Sequence, residues 1–180
     1  MGIAFSVRAD VAQVKRSLNK AQRKVVPLAV SASLNRSIKQ THTKSVRDSA
    51  SRLGVKQKII RSRIRFQHRD RATRRNWEAG VFSVISDMPA ALFGKLRQLK
   101  KGAKAGKKMF PGAFKATMPS GKTGVYRRTS KKRFPIKEEK IPIRNIVEPI
   151  IKQNIQAVGL PVFRKRFHHE LQHRLWKAGL

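Results

Sequence analysis

Cysteine is absent from the 180 residues, which excludes a disulfide scaffold, a thiol nucleophile and any thiolate metal site. Carboxylates are scarce, 9 Asp and Glu against 43 Lys and Arg, so no acidic cluster is on hand for the Mg²⁺ of a metal-dependent nuclease. Long apolar runs are missing too. Val25 to Val30 is the longest and includes Pro27, far short of the ~20 residues that a membrane helix needs. No secretory n-region or h-region opens the chain, so it is expected to stay where it is made. Tyr occurs once and Trp twice, and most of the nine Phe sit at core-like positions. That speaks against a reader of single-stranded bases, and no recognition-helix signature for duplex sequence is present.

What is abundant is positive charge. The formal net charge is +34, and self-repulsion of that size works against compactness unless a polyanion or a large acidic neighbour compensates it. Nucleic acid is the first partner implied. The hydrophobic fraction, 39%, still suffices for a core, and the length suits one domain over residues 1–180.

Ile3, Phe5 and Val7 alternate with Ala4, Ser6 and Arg8 as in a small edge strand. The letters Met1 to Ser6 also fit a myristoylation pattern, but that pattern is short and degenerate. Residues 10–52 read as helical. Asp10 is a candidate N-cap, Val11, Val14, Leu18, Ala21 and Val25 recur at helical spacing, and Gly54 stands where a C-cap glycine belongs. Pro27 divides or kinks this stretch. Beyond it Leu28, Ala32, Leu34 and Ile38 form an apolar stripe, with Arg36, Lys39, Lys44 and Arg47 on other faces.

Residues 55–60 read as one more helical turn, and 60–143 as sheet and basic loops. Ile60, Ser62, Ile64 and Phe66 alternate with Arg61, Arg63 and Arg65, a half-buried strand with three guanidiniums on its open face, expected to pair with a strand from Trp77 to Ile85. From Met88 to Lys137, 50 residues hold 15 Lys or Arg and no carboxylate. Within them Gly94 to Gly112 reads as a long basic loop, with Lys100, Lys101, Lys104, Lys107 and Lys108 among small residues. A hairpin follows, Ala113–Met118 and Gly124–Arg128, and then an extended run from Arg133 to Ile143. Residues 145–177 are helical again: Asn145 as N-cap with Glu148 at N3, a buried stripe of Ile146, Ile150, Ile151, Ile155 and Val158, a stop at Gly159, and a last helix with Phe163, Phe167, Leu171 and Leu175. The order gives an α+β fold: N-terminal long helices and C-terminal helices packed against a small antiparallel sheet with a long basic loop.

His169-Glu170-Leu171-Gln172-His173 matches H-E-x-x-H on a helix, but no His, Asp or Glu follows His173 to complete a catalytic zinc site. Glu170 also stands four residues before Arg174, in the favourable orientation for a helix ion pair. No phosphate loop is present, and neither enzyme activity nor a cofactor or metal is expected. The basic segments carry the chemistry. Arg61, Arg63 and Arg65, the five lysines of the loop, and Arg127, Arg128, Lys131, Lys132 and Arg133 are the candidates for polyanion contact by counterion release, independent of sequence and sensitive to salt.

Gly112-Ala113-Phe114-Lys115-Ala116, Gly124-Val125-Tyr126-Arg127-Arg128 and Arg133-Phe134-Pro135-Ile136, preceded by Ala32-Ser33-Leu34-Asn35 in a long early helix, resemble the minor tail protein Z family of long-tailed bacteriophages. Thr129-Ser130 and Phe134 depart from the Arg-x-Gly and Arg-Leu-Pro-Ile expected of its members. The resemblance implies a virion protein that completes the tail at its head-proximal end, after assembly in the host cytoplasm. Implied partners are tail terminator or tail-tube proteins, head-tail connector proteins and the phage DNA end, with a homo-oligomeric ring, a hexamer, following tail symmetry. The alternative that charge alone would satisfy is a cellular nucleic-acid-binding protein of ribosomal or nucleoid type.

Overall fold

A computed structural model describes residues 2–8, as backbone, and 22–179. Strand β1 (Gly2–Arg8) pairs antiparallel along its whole length with β3 (Glu78–Val84), in the register Gly2↔Val84 to Arg8↔Glu78. On the other side of β3 lies β2, which is only Ile64–Arg65, so the sheet order is β1-β3-β2. The expected strand from Ile60 to Phe66 is thus corrected. Ile60 and Arg61 belong to a short helix, α2 (Gln57–Arg61), and helical bonding continues past it, with the Ser62 amide on Lys58 and the Arg63 amide on Ile60. Ile60 is buried from that helix, which satisfies its apolar side chain without a strand.

The long helix α1 (Gln22–Leu53) passes through Pro27 without ending. The expected Asp10 cap, with Val11, Val14, Leu18 and Ala21, lies outside the described residues. The C-terminus of α1 is as expected: Gly54 has φ 69°, the Gly54 amide donates to Ser51 and the Val55 amide to Ala50, a Schellman closure. Two stripes of α1 are buried. Val26, Val30, Leu34 and Ile38 are apolar, and of the expected stripe only the last two are fully covered, Leu28 and Ala32 being half-buried. Ser33, Ser37, Thr41, Ser45 and Ser49, at strict four-residue spacing, form the second.

This small polar stripe meets the C-terminal helices. Helix α3 (Arg144–Asn154) runs through a π-helical turn, residues 155–159, into α4 (Leu160–Lys177), so Gly159 does not end a helix. Instead it is buried against α1: the Ser37 hydroxyl donates to its carbonyl, and a Cβ on it would lie 3.0 Å from Thr41 Oγ1. Asn145 is not the cap either, because the N-cap is Ile143 and Asn145 is exposed inside the first turn. The buried face of α3 is Ile143, Val147, Ile151 and Asn154, one position round from the expected stripe, of which Ile151 alone is fully covered. On α4, Phe163, Phe167 and Leu171 pack half-buried against the core, with the two Phe rings 5.8 Å apart.

The greatest departure is the basic loop. Residues 96–111 are a three-stranded meander, β5 (Leu96–Leu99), β6 (Gly102–Ala105) and β7 (Lys108–Pro111), in the order β5-β6-β7. Its Gly and Ala residues enable close packing: Ala103 and Ala105 are wholly buried, and Gly102, at φ 151°, lies where any Cβ would strike the Phe110 carbonyl. A short strand β4 (Met88–Pro89) and a 3₁₀ turn, residues 90–93, lead into it, and β8 (Phe114–Thr117), β9 (Thr123–Arg128) and β10 (Ile136–Glu138) form the next sheet, order β10-β9-β8, with the hairpin turn where it was expected. β11 (Lys140–Ile141) returns to pair with β4. The fold is α+β, with one long helix before the small antiparallel sheets of residues 64–141 and helices after them.

Candidate polyanion interface

The three arginines of the first basic group do not form a row. Arg61 is exposed on α2, and Arg63 is half-buried in the turn that follows, where its Nη1 donates to the Ser86 carbonyl at 3.1 Å. Burial pulls the Arg63 guanidinium below its usual pKa, though an arginine stays charged. Arg65, on β2, is exposed and donates Nε to the Ser62 carbonyl at 2.9 Å. The even strand spacing expected for these groups is absent, because two of them lie on a helix and a turn.

The five lysines are distributed over the meander by its register. Lys100 and Lys101 form the β5–β6 turn, Lys107 sits in the β6–β7 turn, and Lys104 stands on β6 directly opposite Arg97 on one side and Met109 on the other. Strand alternation then gives one face to Arg97, Leu99, Lys104, Met109 and Pro111. Leu99 and Met109 are 39% and 49% exposed, so cations and apolar side chains share an open surface. Lys108 points the other way, its ammonium 4.7 Å from the Phe93 ring centre, and with Lys107 it borders a crevice against Arg52 at the end of α1.

Gln98 ties this meander to the next sheet. Its Oε1 accepts from the Lys115 amide at 2.7 Å and its Nε2 donates to the Gly102 carbonyl at 3.0 Å. On that sheet Arg127 is bound to Glu139, which neutralises it, while the Arg128 guanidinium lies 5.6 Å from the Phe114 ring centre. Lys131, Lys132 and Arg133 are exposed in the β9–β10 loop, which Thr129 closes by donating its amide and hydroxyl to the Pro135 carbonyl. The structure therefore joins the second and third basic groups through β8 and sets Arg127 apart as already paired.

A further cationic surface lies on α1. Arg36, Lys39, Gln40, Thr43, Lys44 and Arg47, with Val158 from the π-helical turn, line a groove of about 510 Å³. Their spacing of i, i+3, i+4, i+7, i+8 and i+11 marks one helix face and was visible in the sequence. Reading the cations as scattered over the faces left by the apolar stripe hid it. Asp48 bonds Lys44 at 3.0 Å and approaches Arg47 at 3.8 Å, whereas Arg36 and Lys39 have no carboxylate in reach among the described residues. His169 and His173 are exposed on α4, and Glu170 pairs with Arg174 at 3.2 Å, the ordinary helix ion pair that their spacing offered.

The profile of the prophage minor tail protein Z family matches residues 11–178, nearly the whole chain. The chain belongs to that family. It is 27% identical over 182 aligned positions to tail completion protein Z of Escherichia phage lambda, covering 91% of this chain and 93% of that protein. It is 28% identical over 154 positions to the tail completion protein of Escherichia phage N15, covering 79% of this chain and 82% of that one. No solved structure matches. The match spans the α1 groove, the meander and the β8–β10 sheet alike, so all the basic surfaces lie within the family's own fold. No described helix is long and apolar enough to cross a membrane.

Proposed function

We propose that this protein is a structural component of a phage virion that completes the tail at its head-proximal end and there contacts the DNA end or an acidic tail component through its basic surfaces. The observation that carries the reading is family membership across residues 11–178 together with two relatives, matched over most of their length, that bear the name tail completion protein. The charge of +34 supports a polyanionic neighbour, and the exposed Lys100, Lys101, Lys107, Lys131, Lys132 and Arg133 support contact by counterion release. The mixed face of Leu99, Met109, Arg97 and Lys104 suits an acidic protein surface, since apolar side chains gain nothing beside phosphates. A ring of identical copies, a hexamer under sixfold tail symmetry, would bring these surfaces round one axis. The role is architectural, and neither a catalytic step nor a cofactor enters it.

The decisive experiment images tails assembled with and without the protein. Density at the head-proximal end that disappears when the protein is omitted, with loss of head joining, is the expected result. Density at the distal tip, or co-sedimentation with ribosomes instead of tails, would overturn the assignment.

A further inference from the structure

We propose that the groove along α1 is a seat for the sugar–phosphate backbone of duplex DNA, a second contact apart from the basic strands and loops; it rests on the reading that the protein meets DNA. The platform is rigid, because the opposite faces of α1 are buried against the β1-β3-β2 sheet and against α3 and α4. From Arg36 to Arg47 the groove follows the helix for about 16 Å, at ~1.5 Å per residue. Over that length one strand of a duplex presents about five phosphates, at ~3.4 Å of axis each.

Four cations line it, and one carboxylate, Asp48, lies beside it, engaged with Lys44 and Arg47. Among the described residues Arg36 and Lys39 have no carboxylate partner at one end, and the Gln40 amide, which has no hydrogen-bond partner among those residues either, adds a neutral donor between them and Lys44. Thr43 spends its hydroxyl proton on the Lys39 carbonyl at 3.0 Å, so it shapes the floor without donating outward. Among the described residues the lining has no aromatic ring and one apolar side chain, Val158. Such a surface grips a phosphate row, and nothing in it reads bases or buries an apolar partner.

The test titrates the full-length protein with a labelled random-sequence duplex between ~50 and ~200 mM salt. Three double variants are compared: Arg36→Gln/Lys39→Gln in the groove, Lys131→Gln/Lys132→Gln in the β9–β10 loop, and Arg164→Gln/Lys165→Gln on the exposed side of α4. All six residues are exposed, so each variant should fold. Removing two phosphate contacts lowers the salt slope by ~1.8 and shrinks the loss of affinity across that salt range about tenfold. The groove variant should show this change and the α4 variant should keep the wild-type slope. Equal slopes in those two would overturn the groove. Wild-type protein without salt-dependent duplex binding would remove the DNA reading itself. A change in the loop variant alone would leave that reading standing and sink only the groove. Polyglutamate competing as well as duplex, with the same dependence on Arg36 and Lys39, would replace DNA by an acidic polypeptide.

Discussion

Asn35 holds Ala72 by both ends of its amide. Its Oδ1 accepts from the Ala72 N–H at 2.8 Å and its Nδ2 donates to the Ala72 carbonyl at 2.9 Å, so a side chain of α1 completes the hydrogen bonding of a segment that leads into β3. Ala72 is buried, and without Asn35 both of its backbone groups lose their partner away from water.

Asn35→Ala should therefore cost about 2–4 kcal/mol, the sum of two buried groups left unsatisfied at ~1–3 kcal/mol each, less some relaxation. Urea unfolding against Asn145→Ala measures it. Asn145 is exposed within the first turn of α3 and caps nothing, so its replacement should stay within ~0.5 kcal/mol of wild type. A loss of ~1 kcal/mol at Asn145 would restore it as a helix cap.

Helical and strand periods placed α1, β1, β3, the β8–β9 hairpin and α4; in α1 and β3 the period is that of a buried stripe, Val26, Val30, Leu34 and Ile38 in the one and Ala79, Val81 and Ser83 in the other. Asn35 belongs to a recognised motif, but its role depends on Ala72, 37 residues away, and no local pattern encodes that distance. The stripe Ser33, Ser37, Thr41, Ser45 and Ser49 gives no apolar signal in the sequence, yet it is the contact that lets α1 approach Gly159. The cations at Lys100 to Lys108 read as a loop because Gly and Ala bring little to bury; packed backbone to backbone, they are themselves what is buried. Of the candidate site, residue types and exposure were legible. The pairing of Arg127 with Glu139, the anchoring of Arg63 on Ser86 and the concavity along α1 were not, since each needs a neighbour distant in sequence or a shape.

Acid should weaken the contact between α1 and α3. Asn154 is buried and its Nδ2 donates to Ser45 Oγ at 3.3 Å and to Asp48 Oδ2 at 3.0 Å. Burial pushes the Asp48 carboxyl up, but hydrogen bonds from Lys44 and Asn154 and the nearby charges of Lys44 and Arg47 outweigh it and hold the group below the usual carboxylate range. A carboxylate depressed in the folded state contributes stability above its unfolded pKa of ~3.9, and that contribution is lost as pH falls through the lower folded value. Urea midpoints at pH 7 and pH 3 should therefore differ less in Asp48→Asn than in wild type. An undiminished difference would show that Asp48 does not take part.

Gly102 tests whether the lysine-rich segment is built or merely tethered. Its φ of 151° is closed to other L residues, and a Cβ there would meet the Phe110 carbonyl directly and the Pro111 Cα at 3.0 Å. Neither obstacle is the tip of a flexible side chain, so relief requires β6 and β7 to part. Gly102→Ala should cost at least ~2 kcal/mol, from backbone strain of ~1–3 kcal/mol together with the steric contact. The damage should be local: trypsin should cut near Lys104 and Lys108 much faster than in wild type, while the α1–α4 contact persists, because those helices share none of the meander's hydrogen bonds. Gly121→Ala is the control, since Gly121 also has positive φ, 78°, yet has nothing within 4 Å of its would-be Cβ. It should lose only the strain energy and keep the wild-type cleavage rate in the meander. If both variants were cut there as fast as wild type, β6 and β7 would not hold the lysines in register, and the open face of Arg97, Leu99, Lys104 and Met109 would not exist as one surface.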